Sequence, residues 1–182
     1  MPIKKKTNRQ KNTITTLEME VAIAKYFGIR QNIVVPNISW GFMNHEADMF
    51  VVKKSGYASE IEIKRTKSDL ISDFKKHHKH QDELNRIQEL YYAIPESIYE
   101  TCKDLIPKHT GILICDKWLP DWSKKWVYNV QTKRKPIKNK SARKLTDKEC
   151  LKIAHLGTMR IWSLKDKIIK LQNGETKVQK QT

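Results

Sequence analysis

The sequence predicts a mixed α/β domain on three observations. Short β-branched runs alternate with stretches of helical apolar spacing along the chain. Two of those runs flank the turn-forming tripeptide Lys54-Ser55-Gly56. An apolar content of 38%, with five Trp, six Tyr and four Phe, supplies enough side-chain volume for a core. The 182 residues make one ordinary domain with room for basic extensions.

Each element follows from local chemistry. Residues 1–15 form a basic arm, with Lys4, Lys5, Lys6, Arg9 and Lys11 and no acid. A helix is predicted over Thr16–Phe27 from Leu17, Val21, Ala24 and Phe27, with Gly28 as its stop. Asn32–Ile38 is β-branched but holds Pro36, which confines it to a sheet edge or an extended lead-in. Ala47–Lys53 and Tyr57–Arg65 are the hairpin strands. Thr66 then caps a helix with Asp69 reaching back; Leu70, Ile71 and Phe74 share one side and the helix runs towards His80. Leu84–Leu90 is expected to be a further helical piece, Leu90–Ile94 a strand ending at Pro95, Glu96–Leu105 a helix and Gly111–Cys115 a buried strand. With the Trp-rich stretch Lys117–Tyr128, these elements define a core over 16–132.

A basic connector occupies 133–145, where Lys133, Arg134, Lys135, Lys138, Lys140, Arg143 and Lys144 stand without an acid among them. The segment 146–182 is a C-terminal helix with a polar tail. Thr146 and Glu149 form its capping box, and Cys150, Ala154, Gly157, Ile161, Leu164, Ile168 and Leu171 follow at alternating spacings of four and three. Such a seam packs either on the domain's own core or on a second copy as a homodimer. Gly157-Thr158 is a point where the helix could divide in two.

Charge narrows the partner. Against 20 Asp and Glu there are 36 Lys and Arg, a formal net charge of +16. Such a surface attracts polyanions, because neutralising phosphates releases their condensed counterions. DNA is the expected partner, with RNA left open. Cys102, Cys115 and Cys150 are scattered and form no CxxC pair, which argues against a disulfide framework and fits a reducing compartment. No apolar run has the length of a membrane span and the N-terminus lacks a signal-peptide pattern, so the expected location is cytoplasmic, away from membranes.

The hairpin carries the chemistry. If Lys54-Ser55-Gly56 forms a three-residue loop with Gly56 in the left-handed position, the register puts Asp48 opposite Glu62; a two-residue turn without a bulge would break that pairing. Cross-strand partners project to one face about 5 Å apart at Cβ, where like charges repel. Side chains alternate along a strand, so Glu60 and Lys64 share that face while Ile61 and Ile63 point the other way. Opposed carboxylates become favourable with a hard divalent cation between them. The bland alternative is a solvated strand face on which Lys64 pairs with Glu62.

The run Asn44-His45-Glu46-Ala47-Asp48, then the hairpin, then Glu60-Ile61-Glu62-Ile63-Lys64 and a helix resembles the signature of the PD-(D/E)xK nuclease superfamily. Glu62-Ile63-Lys64 followed by Arg65-Thr66-Lys67-Ser68-Asp69-Leu70 is similar to MmcB-like DNA repair proteins and related phage and bacterial proteins. The resemblance covers Thr16 to Lys79, and beyond that only the order of elements. It implies a restriction-endonuclease-like mixed sheet flanked by helices. It also implies hydrolysis of DNA phosphodiesters with Mg²⁺ or Mn²⁺, in repair or in phage and mobile-element metabolism. By the same resemblance Asp48 and Glu62 hold the metal, the Ile63 carbonyl adds a ligand, and Lys64 acts on the water or the developing charge. A first-helix Glu joins them: Glu20 fits best, and Glu18 is its rival. Ala47 replaces the motif's Pro, and Glu60 is an additional carboxylate on the same face. A non-catalytic nucleic-acid-binding protein on the same fold is the alternative.

Other groups are weaker candidates. Asp73, His77 and His80 share a helical stripe, but Lys75, Lys76 and Lys79 surround them and no second ligand cluster supports zinc. His80 and Gln81 are accessory candidates near the scissile group, as is His45 beside Asp48. Trp118, Trp122 and Trp126, interleaved with Lys117, Lys124 and Lys125, resemble a stacking platform for unpaired bases, although core packing is the commoner use of such aromatics. Lys67 and the seven connector cations are expected to hold the phosphate backbone.

Overall fold

A computed structural model of the chain describes residues 13–38, 41–43, 45–74 and 85–174. The basic arm up to residue 12 and the candidates His77, His80 and Gln81 lie outside the described residues. The architecture is α/β. In chain order the elements are α1 (Thr16–Tyr26), β1 (Ile33–Ile38), β2 (Ala47–Val52), β3 (Ala58–Ile63), α2 (Lys67–Phe74), β4 (Ile87–Pro95), a 3₁₀ turn (Glu96–Ile98), α3 (Tyr99–Cys102), β5 (Gly111–Trp118), β6 (Val127–Arg134) and α4 (Asp147–Gln172).

One six-stranded mixed sheet runs β1-β2-β3-β4-β5-β6. The pairs β1–β2, β2–β3 and β5–β6 are antiparallel, whereas β3–β4 and β4–β5 are parallel. β3, β4 and β5 therefore point their carboxyl ends the same way. Pro36 sits in β1 at the sheet edge, where a missing N–H costs least.

The hairpin has the expected register. Met49 pairs with Ile61, Phe50 with Glu60 and Val52 with Ala58. The Lys53 N–H bonds the Tyr57 carbonyl at 2.9 Å, and Gly56 takes φ +87° inside the three-residue loop. A Cβ there would be strained and would also press on Lys144 at 3.3 Å.

Alternation along the strands divides the core. On one face Met49, Val51, Ile61, Ile63, Ala93 and Leu113 pack under Met19 and Ile23 of α1. On the other, Val35, Phe50, Val52 and Ala58 pack under Ile153 of α4, while Tyr92, Ile94, Ile112 and Ile114 pack with Leu70 of α2 and Cys102 of α3. Glu60 and Glu62 lie on this second face, so a polar seam runs between two apolar clusters. Fully burying a Phe, Met or Ile contributes roughly 1.5–3 kcal/mol each. Phe50, Met49 and Ile61, all below 2% exposed, offset what the neighbouring carboxylates cost.

Four expectations need correction. Residues 87–90 are strand: Ala58 pairs with Ile87 and Ser59 with Glu89 in parallel, and that ladder overrides the helical preference of Ile-Gln-Glu-Leu. The helix expected over Glu96–Leu105 is a 3₁₀ turn and one short helical turn, α3. The end of the Trp-rich stretch begins β6, an alternating strand that the sequence reading did not assign. Lys133 and Arg134 belong to β6, so the connector starts after them.

The long C-terminal helix is continuous through Gly157-Thr158, and the Thr146–Glu149 capping box is present. Gly157 lets α4 lie close on β1, since a Cβ there would stand 3.0 Å from Val35. Beyond that contact, Ile161, Leu164, Ile168 and Leu171 are exposed. No helix among the described residues is long and apolar enough to cross a membrane.

Candidate active site

The site forms where β3 ends. Lys64 follows that strand directly, and its N–H bonds the Ala93 carbonyl at 3.0 Å, so the parallel ladder to β4 fixes its backbone. β2 runs the other way and brings Asp48 to the same end. Asp48 Oδ2 accepts a 2.7 Å hydrogen bond from the Ile63 N–H and a 3.2 Å contact from Lys64 Nζ. Lys64 Nζ also meets Glu62 Oε2 at 2.6 Å and Asp73 Oδ1 at 3.3 Å. Ligands of open α/β sheets bind outside the carboxyl ends of parallel strands, and this constellation lies there.

Asp73 is a member that the motif does not contain. It is buried on α2, and the Tyr92 hydroxyl of β4 donates to its Oδ2 at 3.0 Å. A signal for it exists in the sequence, because Asp73 shares the apolar side of the helix with Leu70 and Phe74, where a carboxylate needs a partner. Lys64 is thus a hub for Asp48, Glu62 and Asp73. Burial works against its charge, but Glu62 and then Asp48 and Asp73 outweigh burial and raise its pKa. Lys64 stands as an ammonium that donates. Among these four groups negative charge exceeds positive.

The two first-helix acids separate cleanly. Glu18 closes the α1 capping box with Thr15 and accepts from Lys117 Nζ at 2.8 Å through both oxygens. Burial opposes its ionisation, yet Lys117 and Thr15 hold its carboxyl down at about 2. Glu20 has a different environment. Burial and the charge of Asp48 both raise its pKa, which places it within electrostatic reach of the hairpin.

Deeper along the seam, His45 Nε2 lies 2.8 Å from Glu60 Oε1. His45, Glu60 and Glu62 each offer a ligand atom within 4.8 Å of the others. Asp48, Ile63, Lys64, Arg65, Thr66 and Asp73 are among the residues lining a cleft of about 500 Å³ at this end of the sheet. Arg65 is an exposed member of this lining, and Lys67, the exposed first residue of α2, follows two positions later. Asp48 and Glu62 supply hard carboxylate oxygens, beside the cleft-lining Ile63 whose carbonyl is the third expected ligand; this donor chemistry suits Mg²⁺ or Mn²⁺.

No protein-family model and no curated protein sequence matches the chain. Among solved structures it is similar to a protein of unknown function from Silicibacter pomeroyi, with a TM-score of 0.53. The two share 16% identity over 88% of this chain and 92% of the other. At that identity the likeness concerns the fold alone.

The basic connector is not beside the site. The Asn139 N–H bonds the Gln88 carbonyl, the Arg143 N–H that of Asn85, and the Leu145 N–H that of Gly56. These contacts strap it across the amino ends of β3 and β4. Six residues of β3 at ~3.3 Å each put roughly 20 Å between strap and cleft. Two of its expected phosphate ligands have structural work instead. Arg134 donates to the carbonyls of Thr110, Ile106 and Pro107, and Arg143 forms a two-pronged contact with Glu149. Lys144 lies over the Tyr57 ring at 5.9 Å. Lys133, Lys135, Lys138 and Lys140 are exposed.

Proposed function

We propose that this chain is a metal-dependent deoxyribonuclease with a restriction-endonuclease-like fold, hydrolysing DNA phosphodiesters in repair or mobile-element DNA metabolism. The observation that carries the reading is that Asp48 and Lys64 line a cleft, with Glu62 buried against the same ammonium, in a strongly basic protein. A structural ion pair needs one carboxylate per ammonium and no cleft. Here three carboxylates converge on Lys64, and Glu20 stands near.

Asp48, Glu62 and the Ile63 carbonyl would hold Mg²⁺ or Mn²⁺. When bound, the ion supplies charge for the phosphate oxygens and lowers the cost of ionising water. His45 and Glu60 extend the donor set with one nitrogen, a composition that favours Mn²⁺ over Mg²⁺. Lys64, aimed by its three carboxylates, donates hydrogen bonds to the attacking water or to a non-bridging phosphate oxygen. Asp73, anchored by Tyr92, sets where the ammonium points. Glu20 is the remaining carboxylate able to take the water's proton. Hydrolysis forms one P–O bond to water and breaks one ester P–O bond, whose oxygen leaves with a proton. Arg65 and Lys67 hold the flanking phosphates beside the cleft.

The test is incubation of plasmid, single-stranded and branched DNA with the protein and Mg²⁺ or Mn²⁺. Glu62→Gln and Lys64→Ala run alongside, with circular dichroism as a folding check. Nicking is expected for the wild type and not in EDTA, with each variant slower by about 10²–10³, the loss typical of removing a preorganised electrostatic group. Equal inertness of all three proteins while DNA binding persists would establish the other reading, a nucleic-acid-binding protein without catalysis.

A further inference from the structure

The β5–β6 hairpin carries an aromatic side chain that neither the core nor the cleft uses. β5 is parallel to β3, so the loop over residues 119–126 leaves the sheet at the same end as Lys64. The loop is built around turns: the Ser123 N–H bonds the Pro120 carbonyl at 3.0 Å, and the Lys125 N–H bonds Ser123 Oγ at 3.0 Å. Trp126 closes it, with the Lys117 ammonium 5.3 Å from its ring centre. Lys117 in turn grips Glu18, two residues on from Thr16, which lines the cleft. The loop is therefore tied to the same helical turn that forms one wall of the cleft.

Trp122 stands at 86% exposure, above every other large apolar side chain among the described residues. Lys124 and Lys125 beside it are exposed as well. A flat aromatic face next to two ammonium groups matches one kind of ligand closely: a base that stacks, with phosphates on either side. Within a continuous duplex the base faces are covered by their neighbours, so such a platform takes hold only of an unpaired base.

We propose that the 119–126 loop is a binding site for an unpaired base of DNA. Trp122 stacks on it, Lys124 and Lys125 take the adjacent phosphates, and the strand continues past the first turn of α1 into the cleft. The inference rests on the nucleic-acid reading above and adds a substrate class to it, namely single-stranded or branched DNA.

Fluorescence anisotropy in EDTA, with a labelled single-stranded oligonucleotide and a duplex of the same sequence, measures binding apart from cleavage. Trp122→Ala is expected to weaken single-strand binding by about fivefold to 150-fold, the range for loss of one stacked base, and to leave duplex binding within about twofold. Trp122→Phe keeps a stacking face and is expected to recover most of the affinity. Unchanged single-strand binding by Trp122→Ala overturns the proposal, and so does an equal loss on both DNAs. Absence of nicking in Mg²⁺ together with a selective Trp122→Ala defect removes the nuclease reading and leaves this one standing. Failure to bind either DNA overturns both.

Discussion

At the scale of single residues the molecule concentrates its conflicts around Lys64. Lys64 is buried, at 8% exposure, yet Glu62, Asp48 and Asp73 keep its ammonium charged. Tyr92 completes the arrangement from below by donating to Asp73. Tyr92→Phe removes one buried hydrogen bond while keeping the ring packed on Phe74, whose centroid lies 5.6 Å away. It is expected to cost about 1 kcal/mol, read from the urea midpoint at constant slope. Asp73→Asn acts on charge. Removing a carboxylate 3.3 Å from Nζ takes away one of the interactions that raise the Lys64 pKa, so that pKa should fall. The Lys64 side-chain carbon shift, followed by NMR against pH, measures this; an unmoved titration would mean that Asp73 is only structural.

Elements divide into those that local chemistry specifies and those that pairing specifies. Capping belongs to the first group. Thr15 with Glu18 and Thr146 with Glu149 both form reciprocal boxes. Arg143 hydrogen bonds, with help from Thr146, hold the Glu149 carboxyl at about 2 against its ordinary 4.5. Because the folded pKa is depressed, the stability linked to this group is complete above about pH 4.5 and is lost as pH falls towards 2. Glu149→Gln keeps the capping box but removes the charge that Arg143 binds, so it should lower the melting temperature at pH 7 by an amount equivalent to roughly 0.5 kcal/mol, typical of an exposed ion pair, and lose less than the wild type on acidification. Thermal melts at pH 7 and pH 3 check the sign. The hairpin was legible for a related reason: Gly56 selects the loop, the loop selects the register, and the register puts Asp48 opposite Glu62. β6 was not legible, because its alternation lies among Trp and Lys residues that also suit a loop. Its identity comes from pairing with β5. The seam expected on α4 fits only in part: Cys150 and Gly157 lie towards the sheet, but the buried residue is Ile153, which that seam omits, and Ala154, Ile161, Leu164, Ile168 and Leu171 stand outside. Only the position of β1 beneath the first turns determines which residues are covered.

For the whole molecule the distribution of charge matters more than its +16 total. The cations at the cleft end, Arg65, Lys67, Lys124 and Lys125, share the end of the sheet where the carboxylates meet. Lys135, Lys138 and Lys140 occupy the strap at the opposite end, where its hydrogen bonds hold it to Gln88 and Asn85. If DNA is gripped at the cleft, neutralising Arg65 and Lys67 should lower the salt slope of binding by about one per residue contacting phosphate. Replacing the three strap lysines by Gln should change that slope far less. Binding isotherms from low to physiological salt compare the two sets, and a larger effect from the strap would move the interface to the other end of the sheet.

By itself the sequence determined the α/β class, the hairpin register, both helix caps that involve Thr146 and Thr66, and the grouping of Asp48, Glu60, Glu62 and Lys64 on one face. These depend on spacing, turn chemistry and alternation, which act over a few residues. The tertiary structure decided the rest. It separated Glu20 from Glu18, brought Asp73 and Tyr92 under Lys64, turned Arg134 and Arg143 to structural use, and exposed Trp122 at the end of the sheet where Lys64 stands. Each of these depends on which strands lie side by side and which way they run, and that is fixed by contacts between residues far apart in the chain.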